Sequence, residues 1–463
     1  MGFVVRLNSI SEEFKGAVVW DKRCIKSLKK MAKAILKNQW LSFSAACGKI
    51  LRQNGGRIFS NINMKTEKMQ AGHYKETIKR CRNQEVLLCA QDTSSMNYTS
   101  HKKTKGLGLI GTTDKDKGIL VHSMLAMTEE GLPLGIISQH QWTRPPEERG
   151  KKHKRKELPI EDKESIKWLR ALRDAESRLP KKTKEIWIIG DRESDIYEYF
   201  AMEKAKNIRI LSRAMHPRQI EVNIEGTNKK GKLNELVKEL PIIAEREVEI
   251  ERQSRTMKIT VGISYSNIKV YPPARFGATA APLAMSVVYV QEKGEAEDKI
   301  EWVLLTDNNN MREEDAQKML DYYLHRWKIE RFHYTLKTGV FNIEKLQFDD
   351  AETLMNAIAF YSILSWRVMF VQYYGRLYPE NSAEEIIDPV EKEVLEAYSG
   401  KEVLTVKQAL LLIATLGGFI GGSKRYPFPG VKTIWIGLIK LAGMKEGWLL
   451  AKQHFKKKIK LHD

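Results

Sequence analysis

Apolar residues change their spacing twice along this chain. Up to about residue 70 they recur at helical intervals, as in 21–38 (DKRCIKSLKKMAKAILKN), where Ile25, Leu28, Met31, Ile35 and Leu36 line one side. From residue 85 short continuous runs take over. The run 85–90 (EVLLCA) reads as a buried strand, and two more strands are expected near 119–127 and 132–142. A helix over 161–179 follows, then a strand over 185–190 (EIWIIG), a helix from Ser194 and a strand over 208–212. This β-β-β-α-β-α-β order predicts an α/β domain with a mixed sheet. Residues 219–305 read mostly as strands, an all-β insertion. One long helix is expected over 312–337, with Asn310 and Glu313 positioned to cap its start. Residues 350–463 look helical and apolar, with a glycine-rich break at 416–422.

Composition narrows the class. The 463 residues are 42% hydrophobic and 29% charged, enough apolar content for several packed domains. Lysine and arginine number 78 against 58 acids, a net charge of +20. A surplus that large points to a polyanionic partner, nucleic acid first, because cations on phosphates release counterions. Half of it, +10, falls in residues 1–70, with 14 basic against 4 acidic residues. The run 144–156 (RPPEERGKKHKRK) reads as a loop whose cations suit phosphate contact or plain solvation. The four cysteines, Cys24, Cys47, Cys81 and Cys89, form no CxxC pair, which fits a reduced compartment and no zinc site. The first 14 residues carry acids where a signal peptide is apolar, and the apolar stretch 409–422 is too short to span a bilayer. A soluble cytoplasmic protein is the expectation.

Candidate chemistry lies in three acids. Asp92 follows one apolar run and Asp191 another. At the carboxyl ends of neighbouring strands such side chains face a shared crevice, although Asp after a strand is also a common turn or cap residue. In the long helix, Tyr323, Arg326, Glu330 and Lys337 share one stripe, while Leu324, Ile329, Phe332 and Leu336 face broadly the other way. A carboxylate between two cations is an ordinary surface ion pair, or equally a phosphodiester site in which the cations hold phosphates and the acid holds a metal. Three carboxylates suit Mg²⁺ or Mn²⁺, and two such ions clamp an in-line displacement at phosphorus. Trp302, in an apolar strand, reads as core on spacing alone. His325, His333 and Trp327 read as packing or hydrogen-bonding residues.

The segments QDTSS (91–95), GDRESDIYEY (190–199) and YLHRWKIERFHYTLKTG (323–339) resemble the three acidic motifs of bacterial insertion-sequence DDE transposases. The last fits the Y-x2-R-x3-E-x6-K signature of the insertion-sequence-four family. Similarity extends over about 85–345 and includes a long β insertion between Asp191 and Glu330. The resemblance implies a ribonuclease H-like catalytic core over 71–368, interrupted by a β insertion at about 219–305. It is flanked by a helical end-binding domain (1–70) and a helical dimerisation domain (369–463). It implies that Asp92, Asp191 and Glu330 bind two Mg²⁺ or Mn²⁺ ions. Tyr323, Arg326 and Lys337 would hold phosphates, Trp302 would stack a flipped base, and Arg213, His216 and Arg218 would also contact DNA. The implied partners are double-stranded DNA, at transposon ends and target, and a second copy of the chain in the synaptic complex. The implied reaction nicks the transposon end, forms and opens a hairpin, and joins the 3′ ends to a target, in association with the bacterial nucleoid.

Overall fold

The computed structural model describes residues 10–37, 43–111, 115–145, 158–252, 255–276, 280–295, 297–421 and 428–459. The basic run 150–156 and residues 422–425 of the glycine-rich segment lie outside them.

A central sheet grows from the apolar run that begins at Val86. Strand β1 (Val86–Asn97) takes β3 (Lys117–Met127) as antiparallel partner on one side. The short β2 (Gly108–Leu109) and the longer β4 (Pro133–Trp142) both pair with β3. On the other side β5 (Glu185–Gly190) and then β6 (Ile208–Arg213) add in parallel. Six more strands follow: β7 (Gln219–Ile224), β8 (Thr227–Lys232), β9 (Ala244–Arg252), β10 (Arg255–Val270), β11 (Leu283–Glu292) and β12 (Glu301–Thr306). Among the described residues all twelve strands form one mixed sheet, ordered β2-β3-β1-β5-β6-β12-β11-β10-β7-β8, with β4 beside β3 and β9 beside β10.

The strands of 219–305, expected as an all-β insertion, continue the core sheet. Strand β12 pairs with β6 through Leu304–Arg213, Leu305–Ser212 and Thr306–Leu211. Without it the outer edge of β6 would leave a row of backbone N–H and C=O groups unpaired.

Helices cover the sheet. The N-terminal set is α1 (Ile10–Glu13), α2 (Lys22–Lys37), α3 (Phe43–Phe59, kinked at Gly48 with φ 64°) and α4 (Thr66–Cys81). Next come α5 (Ile166–Arg178), α6 (Tyr197–Ala201), α7 (Leu233–Leu236), α8 (Glu313–Leu324) and α9 (Trp327–Tyr334). The chain closes with α10 (Ala351–Leu377), α11 (Pro389–Ser399), α12 (Val406–Leu416) and α13 (Val431–Ile459). Helix α10 crosses the boundary expected at 368 without a break. It is long and apolar enough to cross a membrane, yet 89% of its most apolar window is buried inside the protein, which makes it a core helix here. Phe14 and Phe59 stack against its Phe360 at 4.9 and 5.7 Å, so the basic N-terminal helices share a core with α10.

Candidate active site

The pairing of β1 with β5 sets the two aspartates side by side. Its register runs from Val86–Glu185 to Ala90–Ile189. Continued by two places, that register would set Asp92 level with Asp191, just past the end of β5, on backbones about 4.8 Å apart, and the Asp92 charge is felt at Asp191. Strand β1 does not stop at Gln91 as expected. It runs on to Asn97 because β3 keeps pairing with it, Asp92 opposite Ser123. Asp191 stands just beyond β5, where its side chain accepts the Glu193 N–H at 2.9 Å and caps a 3₁₀ turn. Gly190 is needed there, since a Cβ would come within 2.2 Å of Ser194 Oγ.

Strand alternation decides which way Asp92 faces. Its neighbours Gln91 and Thr93 point to the α5–α6 side. Gln91 Nε2 donates to Tyr199 Oη at 2.6 Å, and His122 bridges Gln91 Oε1 (3.1 Å) and Thr93 Oγ1 (2.9 Å). Burial pushes the His122 imidazole well below its ordinary pKa, so it bridges as a neutral ring. Asp92 is left on the opposite face, toward α9.

The helix that brings the third acid differs from expectation. It is not continuous over 312–337. Helix α8 starts at Glu313, where the Asp315 carboxylate, rather than Asn310, accepts the Arg312 N–H at 3.0 Å. It ends at Leu324, and the next turn tightens: Arg326 N–H bonds Tyr323 O, Lys328 N–H bonds His325 O and Ile329 N–H bonds Arg326 O, each an i−3 partner. After α9 the last turn widens into a π-helix over Thr335–Gly339. Three of the four signature residues touch in turn, and Lys337 lies in the same cavity as Glu330 with Glu344 3.7 Å away. Arg326 sits 5.6 Å from the Tyr323 ring, and its guanidinium lies 2.6 Å from Glu330. Lys337 lines the same cavity of about 570 Å³ as Asp92 and Glu330, with Ser94, Ser95, Tyr334 and Thr338.

The three acids act on one another. Burial and then the Asp92 charge raise the Asp191 pKa above its ordinary value. Glu330 is raised by burial and by both aspartates, although Arg326 opposes the shift. Despite burial, Tyr323 and Glu330 hold Arg326 above its own ordinary value. Among the described residues, no three His, Cys, Asp or Glu side chains close around a single point tightly enough to enclose an ion. Arg326 draws Glu330 one way and the Glu193 N–H draws Asp191 another. In chemistry, though not in spacing, the set suits a hard divalent cation: three carboxylates within electrostatic reach of one another, partly offset by one guanidinium.

The remaining predicted residues fall into two groups. Trp302 meets Tyr323 edge-on at 5.2 Å with Arg213 over its ring at 6.0 Å, and it lines a cavity of about 690 Å³ with Arg192, Lys238 and Lys299. This basic, aromatic cavity connects to the signature helix through Tyr323. His216 and Arg218 do not join it. They line a separate cavity, and Arg218 is buried against Asp195, bonding its carboxylate at 2.8 and 2.5 Å and its backbone oxygen at 2.8 Å. Asp195 also accepts the Met215 and His216 N–H groups. Arg218, expected to contact DNA, is held in a loop-fastening ion pair here, since a buried guanidinium needs its carboxylate. His333, read from the sequence as a packing or hydrogen-bonding residue, has a side chain 5% exposed with Nδ1 3.6 Å from Asp92 Oδ2. Its i+3 spacing from Glu330 was the available signal.

No family model matches this chain. Among solved structures it is similar to the cryo-EM structure of the piggyBac transposase synaptic complex with hairpin DNA, at 8% identity and TM-score 0.37, over 88% of this chain and 78% of that one. A likeness at that level says nothing of what these residues do.

Proposed function

We propose that the chain is a DDE-type, cut-and-paste DNA transposase with a ribonuclease H-like core. Asp92, Asp191 and Glu330 would hold two Mg²⁺ or Mn²⁺ ions. The observation that carries this reading is the meeting of three carboxylates, distant in sequence, within each other's electrostatic reach. The order β4-β3-β1-β5-β6, with antiparallel β4-β3-β1 followed by the parallel trio β1-β5-β6, supports the core assignment.

Bound cations of this kind would activate the attacking oxygen and stabilise the leaving one. The chain's own residues do the rest. Arg326 and Lys337 flank Glu330 on the helix and hold phosphate oxygens to either side of the reacting bond. Tyr323 supports Arg326 through its ring. Trp302 offers an aromatic face, with Arg213 over it, to a base turned out of the stack, which hairpin formation requires. The cationic α2 and its neighbours meet the phosphates of the transposon end, and a second copy of the chain pairs the two ends.

The test is to incubate purified protein with the DNA that flanks its gene and Mg²⁺. Hairpin-ended excision products are expected, with their 3′ ends joined to a target. Glu330→Ala lowers the cleavage rate by about 10³-fold or more, several kcal/mol of barrier. Nicked DNA without hairpins or joining would reassign the protein as a nuclease, and metal-independent cleavage would end the proposal.

A further inference from the structure

His333 sits where a buried histidine has no structural reason to be. Both ring nitrogens are shut off from solvent and have no hydrogen-bond partner among the described residues. Buried polar atoms ordinarily find partners, and leaving them unpaired destabilises the fold. The Asp92 carboxylate faces it, with Oδ2 3.6 Å from Nδ1, within ion-pair range but beyond a hydrogen bond. Helix α9 packs against β1, so its i and i+3 positions, Glu330 and His333, both face Asp92. Because Nε2 is also unpartnered, nothing holds the ring from its far side, and closing the gap breaks no bond.

We propose that His333 is a positioning residue for Asp92, donating a hydrogen bond from Nδ1 to the carboxylate when a divalent cation draws that carboxylate into place. Carboxylates that bind metal are commonly oriented in this way by a neighbouring donor. Two hard cations satisfy themselves with oxygen ligands, so the imidazole serves the ligand and not the ion. The inference rests on the metal site proposed above and goes one step beyond it.

The test is Mn²⁺ affinity, read by electron paramagnetic resonance on the full chain with Mn²⁺ alone. His333→Ala is expected to weaken Mn²⁺ binding by about 10–100-fold. His333→Asn keeps an N–H donor at the place of Nδ1 and is expected to recover most of the loss. Asp92→Ala serves as the reference for a missing ligand. Wild-type affinity in His333→Ala, with binding lost in Asp92→Ala, overturns the positioning role and leaves the metal site standing. Equal loss in the Ala and Asn variants also overturns it, since the donor then does not matter. Absence of Mn²⁺ binding by the wild type overturns both. Thermal melts of each variant separate unfolding from lost affinity.

Discussion

Two clusters of buried charge in this protein are built on opposite principles. At the docking point of the N-terminal helices, Glu13 is fully buried yet matched. It takes the Arg80 guanidinium at 2.8 and 3.2 Å and the His73 Nδ1–H at 2.6 Å, with His73 Nε2 accepting the Ile136 N–H at 2.9 Å. Burial alone would raise its pKa, but Arg80 and His73 bring it down to about 2. At the other cluster Asp92, Asp191 and Glu330 share one partial counter-ion, Arg326, and the pKa values of Asp191 and Glu330 rise. The first cluster is complete without any ligand and fastens α1 to α4. The second carries uncompensated negative charge, which the proposed cations would offset.

Removing a partner separates the two most sharply. Glu13→Ala leaves the Arg80 guanidinium buried without a carboxylate and should cost about 3–5 kcal/mol, measured by urea unfolding. A loss below 1 kcal/mol would put the two clusters in the same class. Next, Mg²⁺ should stabilise the wild type by about 2.7 kcal/mol at about a hundredfold excess over its Kd. Thermal melts should show the same gain in Glu13→Ala and none in Glu330→Ala, and a gain that survives in Glu330→Ala would locate the cation elsewhere.

The smallest effect lies in pH. Stability from Glu13 is fully present above pH 4.5 and is lost as pH falls toward about 2. Asp191 has the opposite sign. Its folded pKa is raised, so its contribution is present below the ordinary aspartate value and lost as pH rises through the raised one. Asp191→Asn should therefore melt slightly above the wild type at pH 7, and the gap should close in acid. Melting below the wild type at pH 7 would show that Asp191 is compensated after all.

Local pattern made much of this readable. The apolar runs ending near Gln91 and Gly190 announce β1 and β5, and the equal placement of an acid after each already hints at one register. Helical spacing placed Tyr323, Arg326, Glu330 and Lys337 in one neighbourhood, and that survives a tightened turn and a π-helix because the deviations are local. The partner of Arg218 was not readable, since Asp195 lies 23 residues away, with α6 and β6 between them. Nor was the orphaned state of His333, because no spacing rule reports that a side chain lacks a partner.

Amino-acid order alone thus determined what each segment can be: strand or helix, apolar or charged, and which acids stand at strand ends. Periodicity is a property of neighbours in the chain, so it needs no fold to be seen. Tertiary packing decided the rest. It joined 219–305 to the core sheet, carried the N-terminal helices onto α10, and left one charge cluster matched and the other wanting. Those outcomes depend on which distant residues share low-dielectric space, and that is set only when the chain closes on itself.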